Sequence, residues 1–270
     1  MTESTVLHSR ALHYGDGVFR TILVANGVLV DEALHWQKLA EDCAVLAIDP
    51  PDVQVLHAAV RARVAEAPEG ILKVIVARRS TGRGYAPQTH ACDYWLLYST
   101  PAKPDLAAYR TGICAEFSPV VLSEQPLLAG IKHLNRLDQV LASRNGSPAI
   151  QERLMCDRAG QVVCGTRSNL FIVDNGVLKT PPLDHCGVAG IMRSKVLALA
   201  SGLGIAVVMT PLKREDLQQA EEVLVTNAVQ GIWPVQRLDQ WSYRAPGKIT
   251  QKLMGALAHP WVNRAFECAF

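Results

Sequence analysis

The 270-residue chain carries 27 Lys and Arg against 25 Asp and Glu, a formal net charge of +2, with 49% hydrophobic residues. That length and apolar content allow two modest domains with real cores, and the interspersed charges form neither a basic stripe for nucleic acid nor a like-charge tail. The opening MTESTVLHSR has no basic segment leading into an apolar run, and the greasiest stretch, VLALASGLGIAVVM, is too short and glycine-broken to span a bilayer. The expectation is a cytoplasmic protein with no nucleic-acid and no membrane partner.

In chain order, HYGDGVFRTILV, Asn26-Gly27 and VLV read as a strand, a two-residue turn and a second strand. HWQKLAEDCAVLAI places Trp36, Leu39, Cys43 and Leu46 on one helical face; Pro50-Pro51 ends that helix, and Asp52 can cap another running to about Ala67. ILKVIVARR and DYWLLYS are strands joined by the glycine-rich STGRGYAPQTH loop. PAKPDL, residues 101 to 106, reads as a linker because two prolines block regular structure there. It divides a smaller domain, 1–104, from a larger one, 105–270.

The second half opens with YRTGICAEF as a strand. AGIKHLNRLDQVLASRNG, residues 129 to 146, then sets Leu134, Leu137 and Leu141 on one face at helical spacing, predicting an amphipathic helix that stops near Asn145-Gly146. Lys132 lies just ahead of that stripe, behind Ala129-Gly130, in the entry segment rather than on a solvated face. Strands follow at ERLMCD, QVVC, NLFIV and GVLKT, with turns at Arg158-Ala159-Gly160 and Asp174-Asn175-Gly176. A helix from about Ile191 to Ala200 comes after CGVAG; strands AVVM and EVLVT, a short WPV strand and a last helix complete the chain. The pattern is α+β, or α/β in two parts, without the regular βαβ alternation of a doubly wound sheet.

The seven cysteines are scattered and contain no C-x-x-C pair, so neither a metal site nor a disulfide framework is expected. Gly187 and Gly190 precede the helix starting near Ile191. The unpaired N–H groups of Ile191 and Met192 and the positive end of the helix dipole therefore make a ready anion site. Lys38 and the Thr-Asn-Ala at 226 to 228 are further sources of charge and donors.

Taken in order, YGDGVF (14–19), H-x-x-K-L (35–39), RSTGRGY (79–85), GIKHLNRLDQVLA (130–142), GTRSNLF (165–171), LDHCGVAGIMR (183–193) and TNA (226–228) resemble the class IV aminotransferase family of branched-chain and D-amino acid transaminases. KHLNRL together with GRGY favours the aminodeoxychorismate lyase branch of that family. The resemblance covers almost the whole chain and implies a D-amino acid aminotransferase-like fold, a homodimer in which the GRGY loop reaches the neighbour's site, and pyridoxal 5'-phosphate in the cleft between the two domains.

On that resemblance Lys132 is the lysine that bonds the cofactor covalently and then moves the substrate's proton, chemistry suited to an amine partly removed from water. Lys38, Cys164, Ile191, Met192, Asn227 and Ala228 fall at cofactor-binding positions. Arg83, whose guanidinium fork fits a carboxylate, falls at a substrate-binding position, with Asn135 and Arg136 beside Lys132. The implied reaction releases pyruvate from a small molecule, 4-amino-4-deoxychorismate, leaving 4-aminobenzoate; amino transfer by a transaminase, and cofactor binding without catalysis, are the alternatives. Two positions depart from the family pattern: Lys38 stands where an arginine usually grips the phosphate, and Cys164 where an acid usually bonds the pyridine nitrogen.

Overall fold

The computed structural model describes residues 6–100, 103–144 and 146–267. Pro101 and Ala102 of the expected linker, Asn145 at the expected helix stop, and Cys268 lie outside those residues. The chain forms two compact units, one comprising residues 1–102 with 131–136, the other residues 103–130 with 137–270. The six-residue segment carrying Lys132 thus belongs to the first unit, although both its flanks belong to the second.

In the first unit, helix α1 (Arg10–Tyr14) leads into β1 (Gly17–Ala25) and β2 (Val28–Leu29), followed by α2 (Glu32–Val45), α3 (Val53–Glu66), β3 (Gly70–Arg78) and β4 (Cys92–Ser99). The strands make an antiparallel sheet in the order β2-β1-β3-β4. Asn26 and Gly27 both have positive φ, 51° and 74°, which matches the right-handed twist of a tight hairpin. Asp52 caps α3 by accepting the N–H of Val55.

Alternate residues of β1 and β3, namely Val18, Ile22, Val24, Leu72, Val74 and Val76, are fully buried on the sheet face where α2 packs. The buried face of α2 differs from the expected one: it is His35, Leu39, Asp42 and Cys43, with Trp36 and Leu46 only half-buried. An apolar tally passes over this face because its centre is a carboxylate, buried on account of its ionic partners.

Residues 132–134 lie antiparallel against the start of β1. The carbonyl of Lys132 accepts from Phe19 N at 3.0 Å, Leu134 N donates to Gly17 O at 2.9 Å, and His133 bridges to Val18. Since β2 pairs only with Val24 and Ala25, this end of β1 is open to receive them. That pairing corrects the expected long helix. The helix begins only at Leu137 and spans seven residues, Leu137–Ser143, with Ala142 its buried residue, while Leu137 and Leu141 are 74% and 49% exposed.

The second unit contains α4 (Ala107–Arg110), β5 (Ile113–Val121), α5 (Leu137–Ser143), β6 (Glu152–Cys156), β7 (Val162–Gly165), β8 (Asn169–Asp174), β9 (Val177–Thr180), α6 (Ile191–Gly202), β10 (Val207–Met209), α7 (Arg214–Gln219), β11 (Glu222–Asn227), β12 (Gly231–Leu238), β13 (Trp241–Ser242), α8 (Lys248–Ala256) and α9 (Pro260–Glu267). The sheet runs β10-β9-β8-β11-β12-β5-β6-β7, and β7 pairs back onto β8, so the six strands from β8 to β7 close into a barrel. Near-continuous burial along β8 and β11 reflects cover on both faces, with α6 and α8 packed on β11.

Three expectations shift here. Tyr109 and Arg110 end α4 rather than begin a strand, the chain turning at Gly112 (φ 86°). The expected WPV strand is the eight-residue β12. The single last helix is two, interrupted ahead of Pro260, a residue that disfavours helix in the position before it. The six described cysteines are free thiols, and no described helix is long and apolar enough to cross a membrane.

Candidate active site

Lys132 is half-buried. Its backbone N–H donates to Oδ2 of Asp42 at 3.2 Å, and its Nζ stands 4.6 Å from the centroid of the Phe19 ring. Lys73 Nζ lies at the same distance from that ring. Asp42, with no solvent exposure, also pairs with Lys38 Nζ and lies 3.4 Å from Arg20 Nη2. One buried carboxylate therefore faces two cationic side chains, with three more cationic groups, on Lys73, Lys132 and Arg136, contributing to the same local field.

Positive charge is in excess, and the consequence falls on Lys132. Burial is the largest influence and pushes its ammonium down to about 7; the guanidiniums of Arg20 and Arg136 and the Lys73 ammonium push the same way, and Asp42 opposes them. A lysine in this state supplies free amine near neutral pH, as nucleophilic chemistry requires.

The other positions expected to act in this unit are placed as follows. Lys38 is held by Asp42, so its ammonium belongs to the cluster around Lys132. Arg136 Nε donates to His133 O, folding its side chain back along the Lys132 segment. Asn135 Nδ2 holds Gly15 O at 3.2 Å, and Arg83 is exposed on the loop between β3 and β4.

In the second unit, Gly190 is the N-cap of α6, with no side chain capping the first turn, so the helix end is left for another acceptor. Asn169 fixes that turn: its Nδ2 donates to Val188 O at 2.7 Å and its Oδ1 accepts Gly190 N at 3.1 Å. A side chain at Gly190 would meet the Asn169 amide at 2.4 Å, which accounts for the glycine.

Asn169 lies in register between Cys164 on β7 and Thr226 on β11, and directly opposed residues of an antiparallel pair share a face. Thr226 is 1% exposed, and its Oγ1 has no hydrogen-bond partner. A buried hydroxyl without a partner is costly, and it stands on the face that carries the α6 entry turn. The motif at 226 to 228 points to Asn227 and Ala228, yet Asn227 Oδ1 accepts from Val229 N and Gln230 N and so shapes the turn, and Ala228 O lies 3.4 Å from the His259 ring. Cys164 is buried among Leu122, Met155, Val163 and Cys186.

Asp42 and Arg20 were not singled out by the sequence, and Thr226 was named only within the Thr-Asn-Ala at 226 to 228. The only available signal for Asp42 was its spacing four residues after Lys38; Arg20 and Thr226 sit on strands whose facing is settled by their partners.

A family model for class IV aminotransferases matches residues 17–238. The chain belongs to that family. Class IV members share its fold, and the chain is 33% identical over 258 residues to an aminodeoxychorismate lyase of Vibrio harveyi, covering 93% of this chain and 94% of that one. A crystal structure of 4-amino-4-deoxychorismate lyase from Pseudomonas aeruginosa superposes with a TM-score of 0.85 at 38% identity, covering 92% of each chain. A D-alanine aminotransferase of Bacillus licheniformis is 27% identical over 264 residues, covering 93% of this chain and 89% of that one. This class IV protein is thus an enzyme whose relatives include both lyases and transaminases.

Proposed function

We propose that this class IV enzyme is a pyridoxal-phosphate-dependent aminodeoxychorismate lyase of the cytoplasm, converting 4-amino-4-deoxychorismate to 4-aminobenzoate and pyruvate for folate synthesis. The observation that carries the reading is Lys132: a partly desolvated amine, lowered to about 7 among excess cations, in a chain similar to lyases over more than nine-tenths of its length.

The residues suit the cofactor. A phosphate matches the uncapped first turn of α6, with the N–H groups of Ile191 and Met192, and the partnerless Thr226 hydroxyl. When bound, pyridoxal phosphate supplies an electron sink for cleavage of the C–H bond beside the substrate amine.

The protein's part is to place groups. Lys132 Nζ takes that proton and holds it, and Asp42 fixes the lysine's backbone. Lys38 adds charge to the cluster around Lys132 and stands at the position where the family pattern carries the cation for the phosphate. Arg83 receives a substrate carboxylate through its fork, with Asn135 and Arg136 lining the approach. Cys164, a thiol in an apolar cluster, would hold a proton on the pyridine nitrogen less firmly than an acid. Formation of an aromatic product compensates, since it drives the elimination without a deep sink.

A homodimer belongs to the same reading. In the first unit an open groove of about 910 Å³, lined by Leu12, Ile75, Trp95, Leu97 and Leu134 among others, leaves apolar surface for a second copy to cover.

The test is purified protein with pyridoxal phosphate and aminodeoxychorismate, following 4-aminobenzoate by fluorescence with no amino acceptor present. Amino transfer from D-alanine or a branched-chain amino acid to 2-oxoglutarate, without pyruvate release from aminodeoxychorismate, would make it a transaminase instead. A coloured protein with neither activity would make it a cofactor-binding relative that does not catalyse.

A further inference from the structure

We propose that Asp16, acting through Arg10 and Arg78, is a positioning residue that holds the glycine-rich loop 79–91 in order, so that Arg83 meets the substrate carboxylate on a pre-set arm. The substrate half of this inference rests on the lyase reading; the anchoring half does not.

Oδ2 of Asp16 accepts Nε of Arg10 at 2.7 Å and Nε of Arg78 at 3.0 Å. Both guanidiniums are buried, at 6% and 5% exposure, so this one carboxylate keeps two desolvated cations apart. Arg10 spends its remaining donors on loop backbone, and Arg78 divides its own between the loop and the carbonyls of Leu46 and Ala47 just after α2. Arg10 Nη1 reaches Gly84 O at 2.8 Å and Nη2 reaches Tyr85 O at 2.9 Å. Arg78 Nη1 reaches Thr89 O at 3.0 Å and Ala47 O at 2.8 Å. Tyr14 adds a third grip, its hydroxyl accepting Gly84 N at 3.2 Å and its ring lying 5.3 Å from that of Tyr85.

The ends of the loop are tied by Arg79 N donating to Ala91 O and Asp49 N donating to His90 O, both at 2.8 Å, but between them residues 81–88 are exposed and have little else to order them. A loop of this length without packing of its own would otherwise sample many conformations, and freezing it on substrate binding would cost affinity.

The glycines flanking Asp16 complete the device. Gly15 takes φ +62° to end α1, and a Cβ at Gly17 would stand 2.4 Å from Val76 O, so only glycine lets β1 approach β3 closely enough for Arg78 N to reach Asp16 O at 3.1 Å. The Y-G-D-G motif at 14–17 and the S-T-G-R-G-Y motif at 80–85 thus act as one unit, joined through Arg10 and Arg78.

The experiment compares wild type with Asp16→Asn, Arg10→Met and the milder Tyr14→Phe, which deletes only a hydroxyl. Amide hydrogen exchange at residues 82–86 in the free protein reads the anchor; KM and kcat for aminodeoxychorismate read its use. Expected are faster exchange confined to the loop in all three. KM should rise roughly tenfold to a hundredfold in the first two, the range of one lost charge-assisted hydrogen bond, with kcat changed far less. Arg83→Ala should add little on top of Arg10→Met. Unchanged loop exchange in folded Tyr14→Phe and Arg10→Met protein overturns the anchor. Loosened exchange with KM unmoved, or Arg83→Ala and Arg10→Met effects that simply add, overturns its role in recognition. If wild type itself fails to turn over the substrate, the lyase reading falls while the exchange result still decides the anchor.

Discussion

Asp42 grips Lys132 by its backbone, accepting the N–H at 3.2 Å, while the same buried carboxylate pairs with Lys38 and Arg20. Replacing it by asparagine leaves two cations without their counter-charge. Asp42→Asn is expected to lose about 3–5 kcal/mol of stability, the cost of breaking one side of a buried ion pair. Because Asp42 raises the Lys132 pKa, the variant should also shift Lys132 further down. Urea unfolding and the pH dependence of reductive methylation at Lys132 in cofactor-free protein measure the two effects; wild-type stability with an unmoved methylation profile would refute the assignment.

The lowered Lys132 pKa makes stability depend on pH in a definite direction. The folded value, about 7, lies below the ordinary 10.5, so unfolding takes up a proton between them. The lysine's penalty is therefore full below about 7 and fades as pH rises toward 10.5, with a slope of at most about 1.4 kcal/mol per pH unit. Cofactor-free Lys132→Met should be more stable than wild type at pH 6, and the gap should close by pH 10. A gap independent of pH would show that Lys132 is not desolvated.

Thr226→Val separates a structural hydroxyl from one kept for a ligand. The Oγ1 is buried without a partner, so exchanging it for a methyl group of similar shape should leave the free protein as stable as before or slightly more so. Affinity for pyridoxal phosphate should fall about tenfold, as expected for one lost hydrogen bond to a charged group. Equilibrium dialysis of the cofactor, paired with thermal unfolding of the free protein, gives both numbers. Undiminished affinity would remove Thr226 from the phosphate site.

Cys164→Glu tests whether the thiol limits the chemistry. The new carboxylate would sit among Leu122, Met155, Val163 and Cys186, so the free protein is expected to be less stable and to recover on binding cofactor. Transaminase activity should gain more than lyase activity, because only the lyase has an aromatic product to drive it. Equal changes in both activities would rule out that account.

Much of the fold was legible because its signals are local. Asn26-Gly27 turns where two positive φ angles are needed, Asp52 caps α3, and the glycines at 187 and 190 lead into α6 at Ile191. The segment around Lys132 misled for the opposite reason. Leu134, Leu137 and Leu141 have helical spacing, but hydrogen bonds to β1 hold Lys132 and Leu134 extended, and spacing carries no record of a partner more than a hundred residues earlier.

The order of the motifs along the chain was enough by itself to set the family and to single out Lys132. What lowers that lysine's pKa was decided in three dimensions. Asp42, 90 residues away in sequence, comes within hydrogen-bonding reach of its backbone, and Arg20 and Lys73 bring their charge close. A side chain's charge state follows from the water it has lost and the charges within a few ångströms, and tertiary pairing determines both.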